Sequence, residues 1–127
     1  MRLEVASPYI ARGNLFGVID ALVIGASGMV GGQILQLGQQ RGFDVAGTYS
    51  SFAAPDLHQL DASDDASVQA LVDTLEPRVI FLPAAFTNVD ACERDQALSQ
   101  RVNVTVIENV ARACQRTGAK LVGFSSD

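Results

Sequence analysis

Gly25, Gly28 and Gly31 are the residues of this 127-residue chain whose type and spacing point most directly to chemistry. They stand in Gly25-Ala-Ser-Gly28-Met-Val-Gly31, after a short apolar run, Ala21–Ile24, and before a segment from Met29 to about Arg41 in which Val30, Ile34 and Leu37 share one helical stripe. In that setting Gly25 permits a tight turn, and Gly28 lets backbone approach a ligand with no Cβ in the way. Gly31 lets the helix pack closely on the strand. The amide groups and positive end of the helix then form a site for a pyrophosphate. Glycines serving only turn geometry and packing would show the same three-residue pattern. Their place after a strand, before a helix and at the head of a β-α-β series favours a dinucleotide. No Gly-Lys-Ser/Thr follows, which excludes a P-loop.

Such a site needs a parallel sheet to position it, and the rest of the chain is patterned for one. Residues 1–19 show no clear period, are punctuated by Pro8, Gly13, Asn14 and Gly17, and read as an N-terminal extension. Residues 20–127 alternate apolar runs with amphipathic stretches and read as one domain. The expected strands are Ala21–Ile24, apolar on both faces and central; Phe43–Thr48; Leu57–Leu60; Val79–Leu82, also fully buried; and Lys120–Phe124. Gly42 is expected to cap the first helix. A second helix starts at Ser63 as N-cap, carries Asp64 and Asp65 in its first turn, buries Val68, Leu71, Val72 and Leu75, and stops at Pro77. A third runs to about Arg116 with Val102, Val106, Ile107, Val110 and Cys114 inward, and Gly118 caps it. The implied fold is α/β, a Rossmann-type parallel sheet of about five strands in the order 3-2-1-4-5. The fifth would then be an apolar edge strand, through which self-association is expected.

Composition sets the outer limits. With 48% hydrophobic and 18% charged residues, the chain must bury a core and is not a disordered type. The net charge of −5, with nine scattered basic residues, argues against nucleic acid as a partner. Cys92 and Cys114 are too few for a disulfide scaffold or a zinc site. No apolar stretch approaches the roughly 20 residues a membrane span needs, so a cytoplasmic location is expected, with no membrane partner.

A NAD-selecting unit carries an acidic residue at the end of the second strand, where it binds the ribose hydroxyls. That place holds Thr48-Tyr49-Ser50-Ser51, and Asp44 lies at the wrong end of the strand. The hydroxyls suit a 2′-phosphate and no carboxylate repels one, so NADP is favoured and NAD is the alternative. No Arg stands beside the site to decide it.

A second motif, Ala84-Ala-Phe-Thr-Asn-Val-Asp-Ala-Cys-Glu93, is more specific than the glycines. With it, the sequence from about Ala21 to Asp127 resembles the N-terminal half of the dTDP-4-dehydrorhamnose reductase family of extended short-chain dehydrogenases. That family includes nucleotide-sugar reductases and the non-catalytic regulatory subunit of methionine adenosyltransferase. The resemblance implies that Gly25, Gly28, Met29, Val30 and Gly31 serve the cofactor pyrophosphate, that Thr48 lies beside the adenosine ribose, and that Asp61 and Ala62 border the adenine. Ala84, Ala85, Phe86 and Thr87 would line the nicotinamide side, with Phe124 close by. The closing Phe124-Ser-Ser-Asp127 resembles the family's Tyr/Phe-Ser-Thr/Ser-Asp, placing Ser126 on the catalytic Ser/Thr and Asp127 beside the substrate.

One part of the family pattern is missing. Its proton transfer uses a Tyr followed four residues later by Lys. Here the single Lys is Lys120, Arg116 stands four residues before it, and neither Tyr9 nor Tyr49 has a Lys at that spacing. The sheet and substrate domain that complete such a reductase are also expected to be lacking, so the chain alone is expected to be inactive. The remaining candidates have plain structural readings. His58 stands at a strand edge, Cys114 in the core, Cys92 in a loop, Asp64 and Asp65 in a helix first turn, and Asp90 and Glu93 at a helix start. Asn103 matches a helix Asn that supports the superfamily's proton relay, which has nothing to serve here.

Overall fold

The computed structural model describes residues 19–26, 28–50, 56–83 and 96–123, the side chains of 96–101 excepted. Leu22 and Val23 are adjacent in sequence, point to opposite sides of a strand and are both fully buried. Burial on both sides requires layers above and below, which places β1 (Ile19–Val23) at the centre. It pairs in parallel with β2 (Val45–Tyr49) on one side and β4 (Pro77–Leu82) on the other. The two-residue β3 (His58–Gln59) lies beyond β2, and β5 (Lys120–Gly123) lies beyond β4. The order is β3-β2-β1-β4-β5, as the alternating pattern implied. Ile19, assigned above to the extension, opens β1; the rest of that extension lies outside the described residues.

Among the described residues three helices cover the sheet: α1 (Met29–Gln40), α2 (Asp65–Leu75) and α3 (Gln96–Thr117). Leu22, Ile24, Ile80 and Leu82 pack against Val68 and Val72 of α2 and Val106, Val110, Ala113 and Cys114 of α3. On the opposite face Val23 and Ala26 pack on Ile34 of α1, with Val45, Leu57 and Phe81 around them. Helices on both faces of a parallel sheet make this a doubly wound α/β fold. No helix among the described residues is long and apolar enough to cross a membrane.

The helix ends show which local signals were used. Gly42, with φ +80°, terminates α1. Its N–H donates to the Gln39 carbonyl at 3.1 Å and the Phe43 N–H donates to the Gly38 carbonyl at 3.0 Å, the two bonds of a Schellman cap. At the start of α2 the expectation needs correction: Asp64, not Ser63, is the N-cap. Ser63 is drawn out of line by Asp61, whose Oδ1 accepts from both the Ser63 N–H (3.1 Å) and its hydroxyl (2.5 Å). The Ser67 hydroxyl donates to Asp64 in the first turn.

Two burial expectations also change. β4 is closed on the side of Ile80 and Leu82 but only half-buried at Val79 and Phe81, because α1 lies over β1 and β2. The inward stripe of α3 is Val106, Asn109, Val110 and Ala113, while Val102 and Ile107 are 37% and 52% exposed. The helix is therefore turned so that Ile107 lies on its flank and a polar Asn takes an inner position.

Candidate functional site

The three glycines of the loop after β1 differ in what the fold demands of them. Gly25 has φ +82°, a conformation that side chains rarely adopt. Gly31 is fixed by packing: a Cβ there would lie 2.2 Å from the Gly25 carbonyl oxygen and 2.9 Å from its carbon. Gly28 has neither constraint. Its φ of −80° and ψ of 170° suit any residue, and a Cβ would stand 3.4 Å from the Gly25 oxygen, an ordinary contact. What its missing side chain provides is open approach to the head of α1.

That helix end is electrostatically bare. Gly28 is the N-cap and offers no side-chain acceptor, and no acidic residue stands in the first turn. The amides of Met29, Val30 and Gly31 precede the helix's own hydrogen bonding, which begins with the Gly32 N–H donating to the Gly28 carbonyl at 2.8 Å. A positive helix end whose first amides have no partner and no covering side chain among the described residues fits a phosphate or pyrophosphate. Met29 is 83% exposed beside it, Val30 half-buried.

Thr48 supports this loop from below. Its hydroxyl accepts from the Gly25 N–H at 3.0 Å and its carbonyl from the Ala26 N–H at 2.8 Å. At 1% exposure, its oxygen holds the turn and does not face the crevice, so a 2′-phosphate at the end of β2 would meet Tyr49 and the exposed Ser50 instead. Ser51 lies outside the described residues. Thr48→Val keeps the shape and leaves the Gly25 amide without its acceptor. It is expected to lower unfolding free energy by about 1 kcal/mol, read from urea denaturation, with a larger loss of any ligand held by the loop.

The next strand end extends the same rim. The Leu60 N–H donates to the Tyr49 carbonyl at 2.9 Å, so the turn after β3 adjoins the end of β2. Asp61 is exposed there, and Ala62 is buried with its carbonyl accepting from the Asn109 side chain at 3.1 Å. Asn109, a polar residue in the inner stripe of α3, was not singled out above. The signal was available: it stands three residues after Val106 and one before Val110, where an apolar residue is the norm. Asp65, beside this network, is held below the usual carboxylate range by hydrogen bonding from Gln69 and by Arg112.

Gly25, Gly28, Met29, Val30, Gly31, Thr48, Asp61 and Ala62 thus gather at the carboxyl ends of β1, β2 and β3, where open α/β sheets bind ligands. Ala84, Ala85, Phe86, Thr87, Phe124, Ser126 and Asp127, with Asp90, Cys92 and Glu93, lie outside the described residues. Among the described residues His58 is exposed, Asn103 half-buried and Cys114 in the core, its thiol pushed up by burial. No metal-ligating cluster occurs among them. A cleft of about 560 Å³ lined by Asp73, Glu76, Arg78 and Arg116 opens at the amino ends of β4 and β5, away from this rim.

The family described as RmlD substrate binding domain matches residues 19–127. A dTDP-4-dehydrorhamnose reductase from Streptomyces griseus is 37% identical over 106 residues, covering 84% of this chain and 33% of the reductase. The methionine adenosyltransferase 2 subunit beta of Xenopus laevis is 34% identical over 107 residues, covering 84% of this chain and 32% of the subunit. The crystal structure of dTDP-4-dehydrorhamnose reductase from Bacillus anthracis in complex with NADP superposes with a TM-score of 0.68 at 29% identity, covering 82% of this chain and 35% of that one. The chain spans about a third of the length of the curated relatives it matches.

Proposed function

Because the chain belongs to the RmlD substrate binding domain family, with the NAD(P)-binding reductase fold of its relatives, we propose that it is the cofactor-binding portion of a dTDP-4-dehydrorhamnose reductase-like oxidoreductase. The observation that carries this reading is Gly28, a glycine that neither backbone nor packing requires, at the mouth of an uncapped helix. The pyrophosphate of NADP(H) would rest on the amides of Met29, Val30 and Gly31. Its adenosine half would run over the ends of β2 and β3, past Thr48, Asp61 and Ala62. NADP is preferred to NAD because the end of β2 carries hydroxyls and no acid.

The bound cofactor supplies the hydride in such a reductase. We assign Ala84, Ala85, Phe86, Thr87 and Phe124 to its nicotinamide side, Ser126 to polarising the keto group of a nucleotide sugar, and Asp127 to the substrate. A second reading has its own support in the likeness to the methionine adenosyltransferase beta subunit: an NADP-binding regulatory module. Under both readings the chain is an NADP binder, and β5, with Leu121 37% exposed, is a surface for self-association.

Thermal melting with added NADPH tests the shared claim. A ligand that binds only the native state stabilises it, by about 2.7 kcal/mol at 100 times its Kd. NADPH is expected to raise the melting temperature by several degrees and more than NADH does. No shift at millimolar NADPH would overturn the proposal.

A further inference from the structure

Asn109 is 4% exposed and carries three polar contacts, one to the turn after β3, one to α2 and one within α3. Its Nδ2 donates to the Ala62 carbonyl at 3.1 Å across 47 residues of sequence. Its own carbonyl accepts from Gln69 Nε2 at 3.1 Å, and its Oδ1 faces Arg112 Nη1 at 3.4 Å. Gln69 Nε2 also donates to Asp65 Oδ1 at 3.0 Å, and Arg112 pairs with the same oxygen at 2.7 Å. The network therefore ties the inner side of α3 to the first turn of α2 and to the segment that leads into it.

The segment from Asp61 to Asp64 is fixed from two sides. From within, Asp61 closes a local turn: its carboxylate binds Ser63 and its carbonyl accepts from the Asp64 N–H at 3.0 Å. From below, Asn109 is the donor that satisfies the Ala62 carbonyl. A buried carbonyl without a donor costs free energy, so loss of Asn109 would turn Ala62 toward water and reorient the turn. Both Ser63 contacts engage Asp61 Oδ1, and the main chain of Asp61 and Ala62 runs beside them at this end of the crevice. Main-chain contacts depend on the placement of the turn more than on side-chain identity.

We propose that Asn109 is a positioning residue for the adenine end of the cofactor, acting through the Ala62 carbonyl to hold the Asp61–Ala62 main chain in place. This rests on the dinucleotide reading given above and adds to it a residue on a distant helix that touches no ligand. Asn109 then governs affinity for the adenosine half specifically, and the glycine loop governs the pyrophosphate.

The test compares the intact chain with Asn109→Ala and with Asn109→Asp, the second of which keeps the volume and a partner for Arg112 while removing the donor. NADPH affinity is read from its own fluorescence, and saturation-transfer NMR separates the adenine protons from the nicotinamide protons. Amide exchange at Ser63 and Asp64 reports the turn with no ligand present. Expected results are about tenfold weaker NADPH binding, the scale of one lost hydrogen bond. Adenine saturation should fall relative to nicotinamide, and exchange at Ser63 and Asp64 should quicken. A merely destabilised fold would reduce all ligand protons in the same ratio, and that result overturns the proposal. So does unchanged affinity in either folded variant. A wild-type chain that binds no NADPH defeats the dinucleotide reading and this inference with it, and is recognised because the amide exchange at Ser63 still responds to the substitution.

Discussion

Gly31→Ala is expected to remove most of the chain's stability, about 4 kcal/mol. The new methyl would sit 2.2 Å from the Gly25 carbonyl oxygen, 2.9 Å from its carbon and 3.0 Å from Ala26 Cα. All three are backbone atoms, so no side chain can rotate away. Relief requires either moving α1 off β1 or opening the turn. The first breaks the packing of Ile34 on Val23 and Ala26, and the second breaks the bonds from Gly25 and Ala26 to Thr48. Overpacking of a core costs about 1–3 kcal/mol even where side chains can adjust, and more where they cannot. Against a typical domain stability of about 5–15 kcal/mol, at the low end for a short chain, a loss of about 4 kcal/mol removes most of the stability and leaves a readily detectable unfolded fraction. Urea denaturation followed by circular dichroism measures it. A variant melting within a degree of wild type would show that the loop and helix are less tightly apposed than described.

Gly28→Ala, three residues away, is expected to do the opposite. Its methyl meets only the Gly25 oxygen at 3.4 Å, and φ −80° is open to alanine. Loss of unfolded-state freedom favours the variant by about 0.4–1 kcal/mol, and the poorer N-cap propensity of alanine opposes it by a similar amount. Melting should therefore move little. The same methyl stands over the head of α1, where a pyrophosphate would approach the amides of Met29, Val30 and Gly31, and NADPH affinity is expected to fall by at least about tenfold, or ~1.4 kcal/mol. The pair of variants separates the two uses of glycine in one loop: one holds the fold and the other admits the ligand.

The features of this fold that the sequence disclosed are those set by local rules. β1 was recognisable because a strand covered on both faces has no polar side, and Ala21–Ile24 has none. Gly42 and Gly118 marked helix ends because both take positive φ, +80° and +82°. The strand order followed from the alternation of strands and helices once the glycine loop after the first strand marked the sheet as Rossmann-type. The misassigned details depend on what lies opposite. Ser63, Asp64 and Asp65 are all competent at a helix start, and the choice fell to Asp64 because Asp61 engages Ser63. Ile107 looks like core by spacing, yet the roll of α3 is set by Asn109 reaching Ala62, a contact 47 residues distant in sequence. Thr48 was identified as part of the site from its place at the end of β2. Its task of holding the Gly25 amide became visible only with the strands side by side.

The central claim is that the head of α1 receives the pyrophosphate of NADP(H), and amide chemical shifts locate that contact directly. Titrating the isotope-labelled wild-type chain with NADPH is expected to move the amides of Gly25, Gly28, Met29, Val30 and Gly31 first and farthest. Smaller shifts are expected at Ser50 and Asp61, and none at the cleft formed by Asp73, Glu76 and Arg78. Shifts centred on that opposite cleft, or no shifts in the glycine loop at saturating NADPH, would contradict the account.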